Sequence, residues 1–188
     1  AGFEVTAYDI LPAAVQEMAE AGALAGTSPK QAAQGKDVVI TMVPSGPIVR
    51  SLLEGEDGVL AGIPEGAVIV DMSSVTAIES QEFAKLAESK GCHFLDAPVS
   101  GGEPGAVAGT LAIMIGGKQE VVDKVHDVFE AMGSSITLIG PNGSGSIAKL
   151  ANQVIVNLNI AAVSEALILA TKAGADPKKV YEAIRGGL

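Results

Sequence analysis

Lys149, Asn152 and Gln153 stand at i, i+3 and i+4 in a stretch that is otherwise apolar on nearly every side, NGSGSIAKLANQVIVNLNIAAVSEALILATKAG (residues 142–174). At about 100° per residue these spacings put all three on one face of a helix. A lysine on an apolar helix is costly unless it is paired or used. Desolvation moves its pKa towards neutrality, where it can donate or accept a proton. The two amides would orient the lysine or a substrate, and Gly143 and Gly145 allow close approach at the start of the helix. The stripe reads as half of an active site.

Three further features carry possible chemistry. In DAPVSGG (residues 96–102), Ser100, Gly101 and Gly102 directly follow a predicted strand. Two glycines let the backbone approach a ligand, and successive N–H groups beside a hydroxyl suit a small carboxylate. Asp9 ends the first predicted strand, where an acid in a doubly wound sheet accepts hydrogen bonds from the adenosine ribose. Ile10, not an arginine, follows it, which favours NAD and leaves NADP possible. Met42-Val43-Pro44-Ser45 and Asp71-Met72-Ser73-Ser74 follow two more predicted strands. Met42, the backbone at Val43 and Pro44, and the Ser74 hydroxyl would line a cofactor there. Each feature also has a plainer reading. Asp9 can be an exposed loop acid, Ser45 and Ser73 or Ser74 can cap helices, SGG can be only a turn, and Lys149 can snorkel.

The elements that must position these residues alternate. Strands are predicted at 3–9, near 24–25, and at 37–43, 67–74, 93–99, 111–117 and 135–140. Helices are predicted from Pro12 to about residue 21, at 28–34, 45–53, 77–90 and 119–132, then over the long apolar stretch, and at 178–185 behind the cap Asp176-Pro177. A helical turn is expected at 104–107. DVVITMV and AVIVDMSS read as strands buried on both faces. The rhythm is that of an open, mostly parallel α/β sheet of the doubly wound kind.

Composition narrows the function classes. A net charge of −10 with only 12 scattered basic residues argues against nucleic-acid binding. Cys92 is the single cysteine, so no internal disulfide forms, and His93 and His126 lack metal-like spacing; no metal site is expected. A reducing, cytoplasmic setting fits. Asn157, Asn159, Ser164 and Glu165 interrupt the long helix, so it is read as buried in protein and not as a membrane span.

A doubly wound dinucleotide domain opens with a strand and a GxGxxG turn ahead of the strand bearing the ribose acid. This chain begins at what would be that second strand. At the other end, one long helix and one short one cannot bury their apolar faces alone. The expectation is a fragment of a larger enzyme, inactive by itself, with domains at 1–141 and 142–188.

A strand-end Asp, TMVP, DAPVSGGEP and GxGxxxKLANQ on a long helix occur here in one order. Together they resemble the β-hydroxyacid dehydrogenase family, which includes 3-hydroxyisobutyrate and 6-phosphogluconate dehydrogenases, over essentially the whole chain. The resemblance implies a Rossmann-type domain lacking its first strand and Gly-rich loop. A long interdomain helix would then open an all-α domain that forms homodimers or homotetramers. It implies that Ser100, Gly101 and Gly102 bind the substrate carboxylate and that Lys149 is catalytic. Many relatives place Asn four residues after that lysine. Here the fourth position is Gln153 and the third is Asn152, so either amide can be the one that touches substrate. The implied reaction is NAD(P)H-dependent reduction of a three-carbon hydroxy-oxo acid, with Lys149 as proton donor. The alternatives are a related semialdehyde reductase or 3-hydroxyisobutyrate dehydrogenase, and a non-catalytic module.

Overall fold

The computed structural model describes residues 2–186; Ala1, Gly187 and Leu188 lie outside the described residues. Its elements run β1 (Thr6–Ala7), α1 (Pro12–Glu20), β2 (Leu24–Ala25), α2 (Pro29–Ala33), β3 (Val38–Thr41), α3 (Gly46–Leu53) and β4 (Val68–Asp71). They continue with α4 (Ala77–Glu88), β5 (His93–Asp96), β6 (Val99–Ser100), α5 (Gly102–Ala108), β7 (Leu111–Gly116), α6 (Gln119–Lys124) and α7 (His126–Glu130). The last are β8 (Gly133–Gly140), α8 (Ser144–Lys172) and α9 (Pro177–Ile184). Packing divides the chain into two units, Ala1–Lys149 and Leu150–Leu188.

Helix starts follow local chemistry. Ser28 caps α2 by accepting from the Gln31 amide, and Asp176 caps α9 by accepting from the Lys178 amide. Thr76 and Glu79 form a reciprocal capping box at the start of α4. Ser73 and Ser74 therefore do not cap that helix. Ser45 occupies the N-cap of α3 but makes no side-chain capping bond.

In the first unit a six-stranded sheet runs β3-β4-β5-β7-β6, with β8 also on β7, and β1 and β2 form a separate parallel pair. β3, β4 and β5 are parallel, β7 is antiparallel to β5, and β8 is parallel to β7. β5 and β6 meet β7 in one continuous register, Asp96 opposite Gly116 and Val99 opposite Ile113. The predicted strand 93–99 is thus one line, interrupted at Pro98, which has no N–H to give. The predicted helix 119–132 is two helices, because Val125 leaves helical geometry (φ −123°, ψ 17°) while its side chain packs in the core.

Residues 37–43 do not form a strand buried on both faces. Among the described residues β3 is an outermost strand paired only with β4, and Ile40 is 41% exposed. β4 does match that expectation, with all four residues buried. Alternate residues of β4 feed two cores, as the strand period of two requires. Val68 and Val70 join Leu95, Ile113, Ile115 and Phe129; Ile69 joins Val49, Leu53, Phe83 and Phe94. Each fully buried aliphatic or aromatic side chain contributes about 1.5–3 kcal/mol to holding the strand ends in place.

In the second unit α8 continues and α9 follows. The buried residues of α8 are Gly145 and Ser146, both in the first unit. Among the described residues the apolar stretch stays uncovered, in keeping with the expectation that these two helices cannot bury their apolar faces alone: Val154, Ile155, Leu158, Ile160 and Leu169 are exposed. At 29 residues and mean hydropathy 1.8, α8 is long and apolar enough to cross a membrane. Several polar groups further along it bond its own backbone, with Asn157 Nδ2 donating to the Gln153 carbonyl and Ser164 Oγ to that of Ile160.

Candidate active site

Thr41, Asp71, Asp96 and Gly116 are register neighbours on β3, β4, β5 and β7, forming one row across the sheet. The row lies at the carboxyl ends of the three parallel strands, where α/β folds bind ligands. Both acids are buried, Asp71 0% and Asp96 1% exposed.

Asp71 organises the predicted cofactor loops. Its Oδ1 accepts from Thr41 Oγ1 at 2.8 Å and from the Ser73 amide at 3.2 Å. Ser73 Oγ in turn accepts from the Val43 amide at 3.0 Å. The Val43 N–H is thus occupied within the protein and not offered to a ligand. Met42, Pro44 and Ser74 are exposed beyond this knot and Val43 is half-buried. Asp9 is exposed, two residues past the end of β1, with Oδ1 accepting from the Leu11 amide at 2.8 Å. An exposed carboxylate, an exposed hydroxyl and the exposed thioether of Met42 are chemistry that suits a dinucleotide: acceptors for ribose hydroxyls and apolar surface for a base.

Asp96 organises the start of α8. Its Oδ1 accepts from the Gly143 amide at 2.7 Å and its Oδ2 from the Ser146 amide at 3.0 Å. Asn142 Nδ2 donates to the carbonyls of Phe94 and Gly116, and Ser146 Oγ meets Ser80 Oγ at 2.9 Å. Gly145 fits because it has no side chain. A Cβ there would stand 2.3 Å from the Met114 carbonyl oxygen and 2.6 Å from that of Asp96.

Lys149 follows on the same face as Ser146. It is half-buried, and its Nζ donates to the Val99 carbonyl at 2.7 Å. The amine is thereby held at the peptide leading into Ser100-Gly101-Gly102. Ser100 is half-buried and the two glycines are exposed. Gly101 (φ 139°) and Gly102 (φ 60°) hold conformations that other residues rarely adopt, so the glycines are required by the backbone path. Asn152 and Gln153 belong to the second unit, where both are half-buried and the Asn152 amide donates to Gln153 Oε1 at 3.4 Å.

Burial pushes the Lys149 amine below the ordinary lysine value. Burial pushes Asp71 up, against the hydrogen bonds from Ser73 and Thr41, and the Asp96 charge adds to the rise. Asp96 is also raised by burial, opposed by the Gly143 and Ser146 amides. Among the described residues Asp71 Oδ2 has no hydrogen-bond partner. Sequence reasoning assigned neither acid a role. The available signal was an Asp closing each of two buried apolar runs, VIVD and HFLD, at the same position in the sheet. A cavity lined by Asp37, Val38, Gly66, Val68 and Lys124 opens at the amino ends of β3 and β4, away from this row.

Residues 1–140 match the family model described as the NAD binding domain of 6-phosphogluconate dehydrogenase. Residues 143–188 match the model described as NAD-binding of NADP-dependent 3-hydroxyisobutyrate dehydrogenase. The 2-hydroxy-3-oxopropionate reductase of Escherichia coli (strain K12) is 46% identical over 187 residues, 100% of this chain and 64% of that protein. The 3-hydroxyisobutyrate dehydrogenase of Pseudomonas aeruginosa is 38% identical over 98% of this chain and 62% of its own length. The solved Mycobacterium tuberculosis 3-hydroxyisobutyrate dehydrogenase with L-serine superposes with a TM-score of 0.88 at 36% identity, covering 98% of this chain and 62% of that one. The chain thus spans a little under two thirds of the length of these relatives. With a row of buried acids at the strand ends and a lysine held at DAPVSGG, the chain belongs to the β-hydroxyacid dehydrogenase family of nicotinamide-dependent oxidoreductases.

Proposed function

We propose that this chain carries the substrate-reducing centre of a 2-hydroxy-3-oxopropionate (tartronate semialdehyde) reductase that forms D-glycerate. The observation that carries the reading is the 2.7 Å bond from Lys149 Nζ to the Val99 carbonyl, which fixes a desolvated amine beside Ser100. The 46% identity to the Escherichia coli reductase supports the substrate.

NADH, when bound, supplies the hydride to the aldehyde carbon. Asp9, Met42, Pro44 and Ser74 are assigned to holding it, with Val43 contributing only through its carbonyl, since its N–H is taken by Ser73. Ser100, Gly101 and Gly102 hold the substrate carboxylate and so fix the reacting carbon. Lys149 as ammonium stabilises the charge developing on the carbonyl oxygen and then protonates it, leaving a neutral amine. In the reverse direction that amine removes the hydroxyl proton. Asn152 and Gln153 are assigned to the substrate from the resemblance of KLANQ. The exposed apolar residues of α8, among them Val154 and Leu158, suit burial in a homodimer or homotetramer. The free, buried Cys92 suits a cytoplasmic enzyme.

A second reading, 3-hydroxyisobutyrate dehydrogenase, has its own support in the 38% identity to the Pseudomonas aeruginosa enzyme. The two substrates differ by a hydroxyl against a methyl at the carbon beside the carboxylate. A site that hydrogen-bonds a hydroxyl rejects the analogue lacking it by up to about 10⁴–10⁵. A panel of both semialdehydes with the intact enzyme separates the readings. The higher kcat/KM is expected for the hydroxy-oxo acid, and a preference for the methyl compound would replace the first reading with the second.

A further inference from the structure

We propose that Asp96 is the residue that positions Lys149. Resting on the role of Lys149 proposed above, the inference begins with α8, whose first turn has orphan N–H donors that a local cap normally satisfies. Here the sequence before the helix is Asn142-Gly143, and glycine has no side chain to offer. The cap comes instead from another strand. Both oxygens of Asp96 are engaged, one by the Gly143 amide and one by the Ser146 amide.

Lys149 lies three residues beyond Ser146, on the same helix face. Val99 lies three residues beyond Asp96, in the same strand line against β7. One short segment therefore grips α8 at two points. Its carboxylate holds the first turn, and its carbonyl holds the amine of the second, at 2.7 Å. Among the described residues Asp96 makes no ion pair, so its near-complete burial is not explained by a counter-charge. Neutral groups would fill the space. A carboxylate with two acceptors in the right directions is what the two amides require.

Replacing one oxygen by an amide turns an acceptor into a donor facing an N–H. Asp96→Asn should let the first turn of α8 shift, and a misplacement of about 1 Å can cost about 100-fold in rate. In the intact enzyme the expected result is a 10- to 100-fold loss of kcat with the KM for NADH changed less than about twofold. The alkaline limb of the reduction profile, set by Lys149, should also move up as the amine leaves its desolvated seat. Asn142→Ala, which loosens the same clamp from its outer side by removing the bonds to Phe94 and Gly116, should reproduce both effects more weakly. It decides the matter if Asp96→Asn does not fold. A lowered melting temperature with unchanged kcat and an unmoved limb in the folded variant would show Asp96 to be only structural and overturn the inference. Lys149→Ala is measured alongside. Full activity there would sink the lysine's role, whereas its inactivity with normal Asp96→Asn turnover would sink the positioning alone.

Discussion

Asp71 and Asp96 lie side by side as register partners on adjoining parallel strands, both buried, and their hydrogen bonds go to different parts of the fold. Asp71 reaches to Thr41 and Ser73 and ties together the loops that follow β3 and β4. Asp96 reaches to Gly143 and Ser146 and ties down the helix that carries Lys149. The loops after β3 and β4 and the helix start that leads to Lys149 are thus tied down by two neighbouring side chains in one row of the sheet.

Asp71 should limit stability at neutral pH. Burial raises its folded-state pKa above the unfolded value, so the folded chain holds this proton more tightly. Stability from this group is then complete below the ordinary aspartate range and is lost as pH rises through the raised folded value. Asp71→Asn keeps an acceptor for Thr41 and Ser73 and removes the charge from the unpartnered Oδ2. Thermal melts should show the variant above the parent at pH 8 by about 2–4 °C, if the gain is near 1 kcal/mol. The gap should close towards pH 4. A variant less stable than the parent at pH 8 would contradict this.

Gly145→Ala should damage the seat of α8. The added Cβ would meet the carbonyls of Met114 and Asp96, backbone atoms of the sheet that cannot turn aside. Overpacking of this kind costs about 1–3 kcal/mol or more. Gly186→Ala, with nothing among the described residues within 4 Å of its Cβ, is the control and should melt like the parent. Equal melting of both variants would mean that the helix is not pressed against the sheet.

The pH–rate profiles should carry the signature of Lys149. Its amine is depressed by burial, so the ammonium form proposed as the acid in reduction gives way at a lower pH than for a free lysine. Reduction should be flat at neutral pH and fall on the alkaline side. Oxidation should rise over the same interval, because it needs the neutral amine. Steady-state rates in both directions should share that apparent pKa. A reduction limb at or above the free-lysine range would remove desolvation from the account.

Much of the fold was legible because local rules agreed. Pro12 and Pro177 marked helix starts, VIVD read as a buried strand, and KLANQ gave the polar stripe. The misreadings lie where neighbours decide. Val38–Thr41 has the composition of a central strand, but its outer edge pairs with no other described strand. Ser73, which looked like a helix cap, is a bridge to Val43, since the cap is Thr76 three residues on. Lys149 could be picked out from its apolar helix, but its partner, the Val99 carbonyl, could not, because a backbone acceptor has no signature in sequence. Asp71 and Asp96 acquire meaning only through a register that joins segments 25 residues apart.

The most direct test of the account is Lys149→Ala in the intact enzyme, with hydride transfer from NADH to 2-hydroxy-3-oxopropionate followed in a single turnover and NADH affinity measured by titration. The account predicts loss of at least about 100-fold in the transfer rate, as expected for removal of a general acid, with NADH binding retained. Transfer at close to the parental rate would contradict it.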